Sequence, residues 1–196
     1  MKHLLPILIS AIILSSCDMF RKIAEPRPLS MGGVEAKLNG EMLSRLFPPE
    51  QQEARASYAG YFKEPTDPIS INFGFYDADN LLKAGLSWAI LSPDTGTFAI
   101  QEDEKAAVSD LAVKAEFYTL IGGDVLGNSY KVLPSIDNYF TLESYEASSR
   151  VMKGNFNVTF VLASNKNDRD FPDTLRFTDG RFETKIFTKE EFAPYQ

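Results

Sequence analysis

The chain is poor in the residues from which most catalytic and metal sites are assembled. Its 196 residues include one cysteine, Cys17, one histidine, His3, and one tryptophan, Trp88. A single cysteine cannot form an intrachain disulfide, so folding in an oxidising compartment has to rest on the core alone. The lone histidine stands at position 3, in a segment that reads as a leader. The remainder therefore has no imidazole for zinc sites of the usual His or Cys type, for Ser-His-Asp or Cys-His nucleophiles, or for histidine acid-base work. Cationic charge is short too, with 20 Lys and Arg against 27 Asp and Glu, a formal charge of −7. An acidic surface excludes nucleic acid as a partner, because that binding relies on clustered Lys and Arg displacing phosphate counterions. Anionic lipid surfaces are disfavoured for the same reason. The one long apolar run, Leu4 to Leu14, is too short for a bilayer span, which takes about 20 residues.

What that run does have is the layout of a secretory signal: Lys2 before it, and small residues after it in Leu14-Ser15-Ser16-Cys17. Leu-Ser-Ser-Cys resembles the lipobox of bacterial lipoproteins, in which the cysteine thiol receives a diacylglyceryl group and becomes the first mature residue. Acylation would consume Cys17, and two or more acyl chains give a stable anchor where one gives marginal binding. Residues 1–16 thus read as signal peptide and 17–32 as a lipidated tether, with Pro26 and Pro28 and no hydrophobic period. Residues 33–196 read as a single domain, and 44% hydrophobic with 12% aromatic residues is ample core material. Asp18, next to the anchor, resembles the inner-membrane retention signal of enterobacteria. For the group described below, a cell-envelope location in the outer membrane is the expectation, with the facing left open.

From Gly33 onward the pattern alternates with period two, the mark of strands with one buried face. Val34, Ala36 and Leu38 open it, and Asn39-Gly40 closes the run as a tight turn. Leu43 to Glu53 reads as a loop around Pro48-Pro49, and Arg55 to Phe62 as a strand. Ile69 to Tyr76 alternates, Leu86, Trp88 and Ile90 form the next inward set, and Thr97 to Ile100 a short strand. Gln101 to Asp110 suits one helical turn. Val113, Ala115 and Phe117 resume alternation, and Gly122 to Asn128 reads as a loop. Tyr139 to Glu146 and Asn155 to Leu162 follow. Asp179-Gly180 has the composition of a type I′ hairpin, which would set Phe177 against Phe182 and Arg176 against Glu183. Thr188 with Glu191 matches a capping box before a short terminal helix. The expected fold is all-β, an antiparallel sandwich or barrel of about nine or ten short strands.

Three stretches, Ala-Lys-Leu-Asn-Gly-Glu (Ala36 to Glu41), Gly-Asn-Phe-Asn-Val-Thr-Phe (Gly154 to Phe160) and Thr-Asp-Gly-Arg-Phe (Thr178 to Phe182), resemble small lipoproteins of Bacteroidota with a β-rich domain of unknown function, of the DUF6252-like kind. The likeness spans roughly residues 33–187. It departs at Met42-Leu43, where such proteins often carry a Trp after Asn-Gly. It implies fold and compartment, with no substrate and no catalytic residue.

Candidate site residues are few. Asp77, Asp79 and Asn80 have the spacing that begins a calcium loop, but Leu82 and Trp88 stand where its glycine and final carboxylate belong, which excludes an EF-hand. A looser calcium site there, or at Asp168 and Asp170, competes with plain turn chemistry, so no metal or other cofactor is called for. Glu116, Glu143 and Glu183 are the carboxylates a histidine-free glycoside hydrolase would need, yet all fall at water-facing strand positions. Among the aromatic residues Trp88, Tyr58, Tyr61, Tyr76, Tyr118, Tyr139 and Tyr145, most are expected in the core. Tyr61 and Tyr76 lie out of phase with the inward residues and are the candidates for stacking on a sugar ring. An apolar-ligand barrel is less favoured, since no strand set is evidently wide enough to leave a cavity. Asp173-Thr174-Leu175 resembles a Bacteroidota O-glycosylation motif with Thr174 as acceptor, and the sequon at Asn157 reads as strand structure.

The chain is therefore expected to be a non-enzymatic, membrane-anchored lipoprotein with a binding or structural role, its partner a glycan or an envelope protein. Carbohydrate-binding accessory protein and glycosidase are the alternatives. Cys17→Ser should abolish membrane partition in its host; an undiminished membrane-pellet fraction would contradict the lipid anchor.

Overall fold

The computed structural model describes residues 31–58, 68–101, 112–135, 137–165, 168 and 170–192. The strands are β1 (Gly32–Leu38), β2 (Glu41–Met42), β3 (Gln52–Tyr58), β4 (Ile69–Tyr76), β5 (Leu82–Ile90), β6 (Gly96–Ile100), β7 (Ala112–Ile121), β8 (Val125–Val132), β9 (Tyr139–Glu146), β10 (Val151–Asn165) and β11 (Thr174–Lys185). Two helices, α1 (Leu43–Leu46) and α2 (Lys189–Phe192), and a 3₁₀ turn at Pro49–Gln51 complete the described elements.

All strands belong to one sheet in the order β2-β1-β11-β10-β9-β6-β7-β5-β4-β3, antiparallel except for the β6–β7 pair. β8 gives β10 and β7 a second connection. The long strand β10 uses its first half to pair β9 and its second half to pair β8. The two ends of the sheet then meet. Met31 N–H donates to Ala54 O (3.0 Å), Phe187 N–H donates to Ala56 O (2.8 Å), and Ala56 bridges Ile186 in parallel. These bonds cover part of the β3 edge, an otherwise open row of backbone donors and acceptors.

The interior is aromatic. Trp88, 1% exposed, lies 4.9 Å from the Phe140 ring and 5.1 Å from that of Phe156. Phe140 stacks on Phe182 at 5.3 Å, and Phe117 meets Phe177 at 5.5 Å. Phe47 and Phe171 extend the cluster, Phe47 against Phe75 and Phe171 against Phe117. Rings of this size fit because glycines stand directly across the ladder: Gly154 pairs with Phe182, and Gly180 with Phe156. A Cβ on Gly154 would fall 2.1 Å from Thr141 O and 2.6 Å from the Phe182 ring, and one on Gly180 2.7 Å from Phe156.

Asn39-Gly40 forms the expected turn, with φ of 52° and 88°, joining β1 to β2. The capping box is present: Thr188 N–H donates to Glu191 Oε2 (2.8 Å), and Glu191 N–H to Thr188 Oγ1 (3.4 Å). Arg150 and Lys185 both pair with Glu191 Oε1, at 2.8 and 2.7 Å. Burial pushes the Glu191 carboxyl up, but the Lys185 bond, the Thr188 N–H and the Arg150 charge outweigh it and hold it below the ordinary range.

Several expectations are corrected. Asp179-Gly180 is no hairpin; β11 runs straight through it. Thr178 and Asp179 lie opposite the single Asn157, so the pair forms a bulge with Asp179 at φ 53°, and Asn157 Oδ1 accepts the Asp179 N–H (3.0 Å). Phe177 faces Val158, and Arg176 faces Thr159. The stretch Val125–Val132 is a strand and not part of a loop, because Gly127 and Asn128 are needed where β8 packs closely on buried polar groups. Leu43 to Gln51 holds a turn of helix, a 3₁₀ turn and the Phe47 plug, and β3 begins at Gln52. β1 begins at Gly32, one residue inside the expected tether. Residues 59–62 of the expected strand and residues 102–110 of the expected helical turn lie outside the described residues.

Gly154→Ala should cost about 3 kcal/mol of stability, read from the denaturant midpoint, because overpacking here meets backbone as well as a ring. Gly33→Ala, with nothing within 4 Å of its Cβ, should change stability by less than about 0.5 kcal/mol. Equal midpoints for the two variants would contradict this packing.

Candidate functional site

The outward face of β3, β4, β5 and β7 carries a compact group of polar and aromatic side chains. Register places them in rows. Glu53, Gly74, Gly85 and Tyr118 stand side by side, and Arg55, Asn72, Ser87 and Glu116 form the next row. The two facing glycines leave a trough, and tyrosines lie in it. A Cβ on Gly85 would fall 2.4 Å from Tyr118 Cζ, and one on Gly74 3.2 Å from Tyr76 Cε2.

Glu53 lies in the same row, 3% exposed although it points away from the aromatic core. Tyr76 donates its hydroxyl to Glu53 Oε2 (2.5 Å), and Arg55 Nη1 stands 3.2 Å from Oε1, an ion pair without hydrogen-bond geometry. A buried carboxylate this close to a guanidinium and a phenol is held by charge and hydrogen bonding together. The cavity left among Glu53, Arg55, Asn72, Tyr76, Gly85 and Tyr118 is about 50 Å³, room for a water or two and not for a sugar ring. A larger ligand would lie across its rim. Burial raises the Tyr118 hydroxyl above its ordinary pKa, opposed by the Arg55 charge and assisted by Glu116 and Glu53. The phenol accordingly stays protonated at neutral pH and can donate.

A second concavity, an open groove of about 730 Å³, follows β1 beside β11, with Gly33, Glu35, Met42, Gln52, Arg181 and Glu183 on its walls. It is the larger of the two, but its charged groups include the cross-strand pair Glu35 and Arg181, and the converging polar groups with a ring on either side belong to the trough.

Of the residues singled out in the sequence, Tyr76 is brought into this trough, half-buried, and its hydroxyl is committed to Glu53. Tyr61 and Cys17 lie outside the described residues. Trp88 is in the core as its phase indicated, so it offers no stacking surface. Asp77 closes its own turn, Oδ1 accepting the N–H groups of Asp79 (3.0 Å) and Leu81 (2.9 Å), while Asp79 is exposed. The Asp77 carboxylate is thus committed to the turn. Glu116, Glu143 and Glu183 all face water; Glu143 accepts from Asn155 Nδ2 (2.6 Å), and Glu183 pairs with Lys153 (2.8 Å). Each of these two is held by its own partner on β10. Thr174 is exposed at the start of β11, while Asn157 of the sequon is occupied in holding the bulge. Among the described residues no group of three or more His, Cys, Asp and Glu is placed to hold a metal, and no helix is long and apolar enough to cross a membrane.

Glu53 was not singled out in the sequence. Its only signal is a charge in a strand of small residues, and burial follows from three neighbouring strands that no single-strand pattern reports. No family model, curated protein or solved structure matches the chain.

Proposed function

We propose that the protein is a membrane-anchored envelope lipoprotein, held through acylated Cys17, whose β domain works by binding and not by catalysis. The anchor rests on the signal-and-lipobox pattern at residues 2–17. For the domain, the observation that carries the reading is the trough over Gly74 and Gly85, where tyrosine rings and polar side chains share one rigid outer face. Such a surface presents shape and hydrogen-bond groups to a ligand, while the Tyr76 hydroxyl is committed to the buried Glu53 carboxylate.

A second reading, carbohydrate binding, is favoured by the composition of the same trough. Tyr76 and Tyr118 give apolar faces for sugar C–H groups, while Arg55, Asn72, Ser87 and Glu116 give donors and acceptors for hydroxyls. The preformed sheet lowers the ordering cost of binding. An envelope protein of this kind would hold a glycan at the cell surface or in the periplasm.

Thermal denaturation of the full chain in detergent, run against a panel of neutral, acidic and amino-substituted oligosaccharides, tests this directly. A true ligand at about 100 times its Kd adds ~2.7 kcal/mol and raises the melting temperature by several degrees. Tyr118→Ala should lose that increment. A silent panel, or an increment unchanged in Tyr118→Ala, would contradict carbohydrate binding at this face; a protein partner would then be sought by crosslinking in the envelope.

A further inference from the structure

At one end of the sheet the β7–β8 hairpin, Asp168 and residues 170–173 gather oxygen atoms that the binding face does not use. Asp168 is 7% exposed. Its Oδ1 accepts the Asp170 N–H (3.1 Å), and its Oδ2 is buried with no hydrogen-bond partner among the described residues. Asn128, 1% exposed, donates through Nδ2 to Asp168 O (2.9 Å) and to Tyr130 Oη (3.2 Å). Tyr130 in turn donates to Pro172 O (3.1 Å), which fixes the amide orientation and leaves Asn128 Oδ1 buried with no donor among the described residues. Thr119, fully buried, accepts the Asn128 N–H at Oγ1 (2.9 Å).

Two of them, Thr119 and Asp168, meet over a residue with no side chain. A Cβ on Gly127 would fall 2.7 Å from Thr119 Oγ1 and 3.1 Å from Asp168 Oδ2, so both oxygens reach over the same glycine. A buried ionised carboxylate with a free oxygen is costly unless a positive charge or donors meet it. Lys83, the lysine paired with this segment, goes to Asp170 at 3.8 Å, and among the described residues none forms an ion pair with Asp168. What remains is a set of oxygen ligands alone, one of them a carboxylate, which matches the preference of hard cations and repels none of their chemistry.

We propose that Asp168 Oδ2, Asn128 Oδ1 and Thr119 Oγ1 form a binding site for a calcium ion, which backbone carbonyls and water complete. One carboxylate makes it a weak site, in the ~10⁻⁴ to 10⁻³ M range of extracellular calcium modules. Bound calcium ties Asp168, and with it residues 170–173, whose Phe171 lies on Phe47 and Phe117, to β7 and β8. The site stands apart from the Tyr76 and Tyr118 trough and does not depend on it.

The test is calcium binding by the full chain in detergent, measured by equilibrium dialysis and by terbium luminescence excited through tyrosine. One calcium per chain is expected to bind at millimolar concentration, displace terbium and raise the melting temperature by a few degrees. Asp168→Asn, nearly isosteric, should weaken binding at least tenfold, and Thr119→Val, which removes one ligand oxygen, at least threefold. Asp79→Asn should leave it unchanged. Binding of less than one-tenth of a calcium per chain at 5 mM overturns the proposal, as does an unchanged affinity in whichever of Asp168→Asn and Thr119→Val folds.

Discussion

Large aromatic rings set against glycines on neighbouring strands are the constraint from which the rest of this structure follows. Phe182 over Gly154 and Phe156 over Gly180 let two rings lie close to the sheet on the inside. Phe182 then stacks on Phe140, and Phe156 meets Trp88 at a tilt, so aromatic rings run across the interior. The filling has a local cost: Trp88 Nε1 is buried with no acceptor among the described residues, a penalty of about 1–3 kcal/mol that the packing of the indole must offset. On the outside the same device recurs with Tyr118 on Gly85 and Tyr76 on Gly74, and there the rings form a surface in place of a core.

A filled interior decides where function can reside. The proposed binding sites accordingly lie on an outer face and at one end of the sheet, and β7 reaches both. Tyr118 points outward into the trough, and Thr119, the next residue, points inward to the buried oxygen cluster, as the period of a strand requires. Glu116, Glu143 and Glu183 also obey that period, which puts them in water. Glu53 departs from it: an outward position that is nonetheless buried, with Tyr76 and Arg55 on its two carboxylate oxygens.

Much of the architecture was legible along single strands. Ile69 to Tyr76 alternates without a fault, and Asn39-Gly40 and the Thr188–Glu191 box act through contacts a few residues apart. Errors arose where a local signal has two solutions. Asp-Gly accepts a left-handed conformation in a hairpin loop and in a bulge alike, and the choice was made by β1 and β10, both long enough to pair β11 on either side of it. Gly127-Asn128 reads as a turn, yet the glycine admits Thr119 and Asp168, and the asparagine supplies bonds that a buried strand end needs. The trough was half legible. The phase of Tyr76 is a property of one strand, whereas the opposition of Gly74 to Gly85, and of both to Tyr118 and Glu53, depends on the register of four.

Trp88 is the only tryptophan and sits at the centre of the ring cluster, so its fluorescence tests the filled interior most directly. The account predicts a blue-shifted emission, very weak quenching by acrylamide, and no change when fatty acids are added to the folded protein. A red-shifted emission, ready quenching, or a response to fatty acids would mean that the interior is open to solvent or ligand, contrary to the packing described.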